Sequence, residues 1–206
     1  LHYIQHVAHE GPGSIADWAG SRGHALAGSR LYAGGSLPPL DQLDGLIVLG
    51  GPMNVDDEAE HPWLAPEKRY LDRVIGAGLP VLGICLGARL LAQVLGGRVG
   101  RNAQMEIGWH EVTRAEQAGQ TLLADVLPER FASFHWHGDT FSVPPGARLI
   151  ARSAGCPAQG FVYRKHVVAL QFHPEMTEAL AREIIANSDD YRQPGAYIQT
   201  PEEMLA

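Results

Sequence analysis

Between Leu79 and Gly97 the chain changes character in a way few folds allow. Leu79-Pro80-Val81-Leu82-Gly83-Ile84 is a short apolar run, the pattern of a strand buried on both faces. From Cys85 onward, Leu90, Leu91, Val94 and Leu95 recur at helical spacing until Gly96-Gly97 stops the helix. The junction, Gly83-Ile84-Cys85-Leu86-Gly87, has the form of a nucleophile elbow with cysteine in place of serine. A sharp strand-to-helix turn leaves no room for side chains two residues either side of the nucleophile, and it strains the backbone. The thiol then sits at a helix N-terminus, where free N–H groups and the dipole favour a thiolate. A cysteine taken alone is most often a core residue; the glycines and the strand–helix context select the reactive reading. A membrane span is the other reading of so apolar a stretch. Arg89, Gln93 and the paired glycines within a window of about 19 residues speak against it.

Around this stretch, strands and helices alternate. Tyr3 to Val7 reads as a strand, and Gly11-Pro12-Gly13 as a loop. Ser14 is expected to cap a helix running to about Arg22. His24 to Tyr32 is a second strand, and Leu46 to Leu49 a buried one leading into Gly50-Gly51-Pro52. Trp63 to Ile75 is an amphipathic helix ended by Gly76-Ala77-Gly78. This rhythm predicts a parallel sheet wrapped by helices. The second half differs. Val99, Ile107–Val112, Phe131–Phe141, Leu149–Ala151, Gly160–Tyr163 and Val167–Phe172 read as short strands, several joined by turns, before a last helix over Thr177–Asn187. The expected class is therefore α/β: a mostly parallel central sheet with helices on both faces and a mixed or antiparallel edge section. At 206 residues one domain is the economical reading, with residues 188–206, holding Pro194-Gly195 and Pro201, as a surface-packed tail.

Composition excludes several functions. A net charge of −7 without a Lys/Arg cluster argues against a nucleic-acid surface. Two cysteines make no disulfide framework and point to a reducing, cytoplasmic setting. Leu1–Val7 lacks a basic segment followed by a long apolar one, so no signal peptide is expected there. Cys156, beside Pro157, reads as structural.

Three further motifs carry chemistry. Gln171-Phe172-His173-Pro174-Glu175 ends the strand Val167–Leu170. Alternation lets His173 and Glu175 point the same way, and Pro174 biases His173 toward an extended backbone. A cysteine nucleophile needs such a pair: the imidazole takes the thiol proton, and the carboxylate fixes the tautomer. Gly50-Gly51-Pro52 brings backbone close to a substrate. The Gly51 N–H, with that of Leu86, is the expected oxyanion hole. In Phe134-His135-Trp136-His137-Gly138-Asp139, the His-x-His pattern invites a metal reading. No Cys/His/Asp spacing elsewhere completes a ligand set, so neither a metal nor a cofactor is expected, and at least one of these histidines reads as a satisfied core residue.

Together, Gly83-Ile84-Cys85-Leu86-Gly87, Gly50-Gly51-Pro52 and His173-Pro174-Glu175 resemble the class I glutamine amidotransferases over roughly residues 2–185. The Gly-Gly-Pro-Met-Asn and His-Trp-His-Gly-Asp stretches resemble the stand-alone branch similar to the amidotransferase domain of GMP synthase. The resemblance implies a flavodoxin-like three-layer sandwich and a Cys85–His173–Glu175 triad. It also implies hydrolysis of the glutamine side-chain amide through a γ-glutamyl thioester on Cys85, with Gly51 and Leu86 as oxyanion donors. One position departs. The family usually has glutamine four residues after the nucleophile, and here stands Arg89, whose guanidinium favours a carboxylate partner. Gly50, Arg89, Trp136 and His137 are the expected substrate contacts.

The expected function is a glutamine amidotransferase-like hydrolase releasing ammonia and glutamate. A γ-glutamyl peptidase with the same triad is the alternative, and Arg89 leans that way. An elbow-type cysteine peptidase fits His-Pro-Glu less well. A non-catalytic subunit keeping the fold is the rival from another class, disfavoured because no triad residue is missing. With no synthetase region in these residues, any use of the ammonia calls for a separate synthetase partner. Neither membrane nor nucleic acid is an expected partner, and the oligomeric state is open.

Overall fold

The computed structural model describes residues 1–206, and its strands form one ten-stranded sheet. In chain order the elements are β1 (His2–Gln5), α1 (Ser14–Ser21), β2 (Ala27–Arg30), β3 (Leu46–Val48), α2 (Leu64–Gly76), β4 (Val81–Ile84) and α3 (Leu86–Val94). Then follow β5 (Val99–Arg114), β6 (Arg130–Phe141), β7 (Ala147–Ser153), β8 (Gly160–Tyr163), β9 (Val167–Leu170), α4 (Glu178–Asn187), β10 (Tyr197–Ile198) and α5 (Pro201–Met204). The path across the sheet is β10-β5-β7-β8-β9-β4-β3-β1-β2, with β6 pairing on β5.

The sheet has two halves of different construction. β2, β1, β3, β4 and β9 are mutually parallel, as their Val/Ile/Leu-rich runs require when helices cover them. From β9 outward, β8, β7, β5 and β6 pair antiparallel. The largest apolar cluster packs α2 and α3 on the parallel half, joining Leu64, Leu71, Val74, Leu90 and Leu91 to Val48, Val81 and Ala169. Ile47, Leu49 and Ile84 face the other way, toward Ile15 and Leu26. This is the expected flavodoxin-like arrangement, with an antiparallel section larger than an edge.

Three local expectations are corrected. Ser14 is not the cap of α1. It is the first helical residue, preceded by Gly13 at φ 49°, and its N–H donates to the Glu175 carbonyl at 3.0 Å. A Cβ on Gly13 would lie 2.2 Å from that carbonyl oxygen, so close approach dictates the glycine. Val99 and Ile107–Val112 belong to one long strand, β5, whose pairing with β6 shifts register between Arg101 and Glu106. The region 188–206 is more than a surface tail: β10 extends the sheet beside β5, and Met204 is buried against Ile107 and Phe134.

Candidate active site

The parallel strands β1, β3, β4 and β9 are sheet neighbours, and the loops at their carboxyl ends meet where ligands bind in open α/β sheets. β4 delivers Cys85, β9 delivers His173 and Glu175, β3 delivers Gly50 and Gly51, and β1 delivers His6 and Glu10. Cys85 has φ 50° and ψ −103°, a conformation that costs a non-glycine residue of order 1–3 kcal/mol. Its neighbours explain how it persists. The Cys85 N–H donates to the Leu170 carbonyl at 2.8 Å, and Gly87 N–H to Leu49 at 3.2 Å. A Cβ on Gly83 would lie 2.7 Å from the Gly87 carbonyl oxygen, and one on Gly87 2.1 Å from that of Val48. The elbow is locked by packing that only glycine permits.

His173 and Glu175 are both buried, and His173 Nδ1 lies 2.7 Å from Glu175 Oε1. The His173 N–H donates to the Phe134 carbonyl at 2.8 Å, which ties this segment to β6. With Nδ1 occupied, Nε2 is the free nitrogen, and it makes no hydrogen bond. The imidazole and the thiol converge on Gly50: a Cβ there would lie 3.1 Å from His173 Cε1 and 3.6 Å from Cys85 Cβ. Sγ rests 3.7 Å from the Trp136 carbonyl oxygen and 3.8 Å from Arg89 Nη2. Burial pushes the Cys85 thiol up, but His173 and Arg89 outweigh it and hold the thiol below its ordinary range. Burial lowers His173, and the charges of Glu175 and Cys85 overcome that to hold it well above the ordinary histidine value. Both shifts run in the direction that favours transfer of the thiol proton to the imidazole.

A cavity of about 440 Å³ opens on Cys85 and is lined by Gly51, Arg89, Trp136 and His137. One expected oxyanion donor and three expected substrate contacts therefore border it. Gly50 lies behind it, facing His173. Arg89 is buried, neither an exposed helix residue nor a free cation. Its guanidinium donates to Asp139 Oδ2 at 3.1 Å and to the Gly51 carbonyl at 3.5 Å. The far wall comes from α4 and the segment after it, Ile184, Asn187, Ser188, Asp190 and Gln193.

Several residues here gave no sequence signal. Glu10 lines the cavity, and a carboxylate oxygen packs against Gly50. Burial raises its carboxyl above the usual range despite the attraction of His173 and His9. His6 lies behind the Gly50–Gly51 loop, with Nδ1 2.8 Å from the Gly50 carbonyl oxygen and Nε2 2.9 Å from Glu67 Oε1, all buried. Burial lowers His6, and Glu67 with the Gly50 carbonyl raises it past its ordinary value. Trp63 stacks on the His6 ring at 5.4 Å. Asp139 falls within the His-Trp-His-Gly-Asp stretch, and its position opposite Arg89 follows only from the fold. For metal binding, one group stands out: Glu106, His135 and His137, all buried, each with a ligating atom within 4.8 Å of the others. Burial and the neighbouring His137 hold His135 at about 3, so it is neutral, and neither of its nitrogens is hydrogen-bonded. The expectation of a satisfied core histidine fails for it. No helix is long and apolar enough to cross a membrane.

Comparison with known proteins identifies the family and the fold. The family described as Glutamine amidotransferase class-I matches residues 33–189. A glutamine amidotransferase-like protein of Salmonella typhimurium, YfeJ, is 32% identical over all of this chain and 89% of its own length. A glutamine-hydrolysing GMP synthase of Thermomicrobium roseum is 42% identical over 64% of this chain, and the match spans 23% of that enzyme. Among solved structures, a glutamine amidotransferase from Methylobacillus flagellatus superposes with a TM-score of 0.90 at 31% identity, covering 100% of this chain and 84% of that one.

Proposed function

Since this chain belongs to the class I glutamine amidotransferase family, we propose that it hydrolyses a γ-glutamyl amide, glutamine first, through a thioester on Cys85. The observation that carries this reading is the strained Cys85 at the cavity, beside an imidazole whose Nδ1 is held by Glu175 and whose Nε2 is free. Cys85 Sγ attacks the amide carbon, and the carbonyl oxygen takes negative charge between the Gly51 and Leu86 N–H groups. Leu86 is the first residue of α3, so its N–H has no carbonyl four residues back within the helix. His173 gives its Nε2 proton to the departing nitrogen, and ammonia leaves. It then takes a proton from water, which attacks the thioester; the C–S bond breaks, and glutamate and the thiolate–imidazolium pair are restored. Glu175 orients the ring through its contact with Nδ1.

A γ-glutamyl group carries an α-ammonium and an α-carboxylate. Glu10 and Arg101, both on the cavity lining, are the opposite charges at hand for them. Arg89 serves the thiol and the Gly51 loop instead, because it is buried between Asp139 and the Gly51 carbonyl, whereas Arg101, itself 3.6 Å from Asp139, has an exposed side chain. A second reading, cleavage of γ-glutamyl peptides, is favoured by one observation: the cavity runs on to Asn187, Ser188 and Gln193, with room for a leaving group larger than ammonia. The GMP synthase likeness supports a synthetase as consumer of the ammonia, on a separate chain or a longer form of this one.

The test is glutamate release from glutamine and from γ-glutamyl peptides side by side, with Cys85→Ala as control. Glutamine turnover with ammonia supports the first reading, and a peptide preference the second. Equal rates from wild type and Cys85→Ala would overturn both.

A further inference from the structure

The antiparallel half of the sheet holds a buried polar cluster that hydrolysis leaves unused. β5 and β6 pair with Glu106 opposite His137 and Gly108 opposite His135, which puts Glu106, His135 and His137 on one face. Two facts mark the cluster as incomplete. His135, at 0% exposure, has neither Nδ1 nor Nε2 hydrogen-bonded. His137 has Nδ1 3.0 Å from the Asp139 carbonyl oxygen and Nε2 3.1 Å from Glu106 Oε2. Both neighbours are acceptors, so a neutral imidazole can satisfy only one of them. With Nδ1–H given to the carbonyl, Nε2 faces the carboxylate, and a cation between them, a proton or a metal ion, completes the contact. A far-side hydrogen bond to a backbone carbonyl is also how proteins orient a metal-binding histidine.

We propose that Glu106, His135 and His137 bind one divalent transition-metal ion, with Zn²⁺ the best match to two imidazoles and one carboxylate. Donor atoms on one tetrahedral Zn²⁺ stand about 3.4 Å apart at bonds of roughly 2.0–2.1 Å. The 4.8 Å spread closes with side-chain shifts of about 1–2 Å. Gln159 supplies a fourth donor. Its amide nitrogen lies 2.6 Å from Glu106 Oε2 and 3.5 Å from His137 Nε2, while its buried Oε1 has no partner. Turning the amide over presents the oxygen to the cluster. A second cavity, of about 320 Å³ and lined by Glu106, His110 and Ser153, gives the ion a way in. His137 also borders the catalytic cavity, so the ion braces the wall whose Trp136 carbonyl supports Cys85 Sγ.

The test is calorimetric titration of chelator-stripped Cys85→Ala protein with Zn²⁺, alongside thermal melts. Removing the thiol eliminates Cys85 and His173 as a competing ligand pair, and the readout does not depend on activity. One equivalent should bind with micromolar or tighter affinity and raise the Tm. Adding His135→Phe, which replaces two orphaned nitrogens by carbon beside Phe172, should weaken binding at least about 100-fold, as should Glu106→Gln. If His135→Phe does not fold, Glu106→Gln tests the same ligand set. No uptake by the parent, or unchanged affinity in either folded variant, overturns the site.

Discussion

Two buried histidine–carboxylate pairs sit on either side of the Gly50–Gly51 loop and are built for opposite ends. His173 commits one nitrogen to Glu175, at 2.7 Å, and keeps the other free beside the thiol. His6 commits both, to Glu67 at 2.9 Å and to the Gly50 carbonyl at 2.8 Å. An imidazole with a free nitrogen can move a proton. One bonded at both ends can only hold something still. Residue type and pairing are the same in the two pairs, so the number of unoccupied hydrogen-bonding positions is what separates a candidate base from a strut.

The contrast can be broken from the His173 side first. His173→Asn, whose side-chain amide can keep a donor on the buried Glu175 carboxylate, should lower kcat/KM by roughly 10³-fold or more while leaving the urea midpoint nearly unchanged, since it removes general acid and base together. Steady-state glutamate release and an unfolding curve on one preparation measure both. Loss of the fold in this variant would show that the pair is structural after all.

His6→Ala should do the reverse. It strands the Glu67 carboxylate, and breaking a buried pair on one side costs about 3–5 kcal/mol. Adding Glu67→Leu should recover most of that, because no unpaired charge remains. The pH dependence has a definite sign. The His6 folded-state pKa is raised, so its contribution is complete below an unfolded value of about 6.5 and is lost as pH rises through the folded value. Urea melts across that range should show the decline in wild type and not in His6→Ala/Glu67→Leu.

The thiol offers a subtler comparison. Cys85 is held below its ordinary range, so alkylation by iodoacetamide should persist at pH values where a free thiol is inert and fall off only as pH drops through the lowered value. Arg89→Gln removes a cation 3.8 Å from Sγ and should move that fall-off to higher pH. Activity should fail on the alkaline side as His173, held high, loses its proton. At the small end, Thr177→Ala deletes the cap whose hydroxyl accepts the Leu180 N–H at 3.2 Å. It should cost about 1 kcal/mol with kcat untouched.

The elbow is legible in the sequence because every part of it is local: an apolar run, two glycines and a helical repeat within fifteen residues of chain, Leu79–Gln93. His-Pro-Glu is legible for the same reason. What escapes depends on distant partners. His6 and Glu67 are 61 positions apart, and Arg89 and Asp139 are 50 apart. Neither spacing has a periodicity to betray it, because the contact is made by neighbouring strands and helices, not by the chain. Glu106 escapes likewise, being joined to His137 only through the β5–β6 register. β10 is hidden by its brevity: two residues, Tyr197–Ile198, are too few to alternate visibly. The Ser14 expectation fails because a good capping side chain loses to a tertiary demand, the close passage of Gly13 over Glu175.

β4 and β9 lie side by side in the sheet, yet everything from α3 to β8 separates them in the chain. Until that whole insertion has been made and paired, Cys85 has neither His173 nor Glu175 beside it. Closing so long a loop is slow relative to local folding. The thiol's reactivity therefore waits on a contact that spans a long stretch of chain, made when β9 closes beside β4 and brings the imidazole to the sulfur.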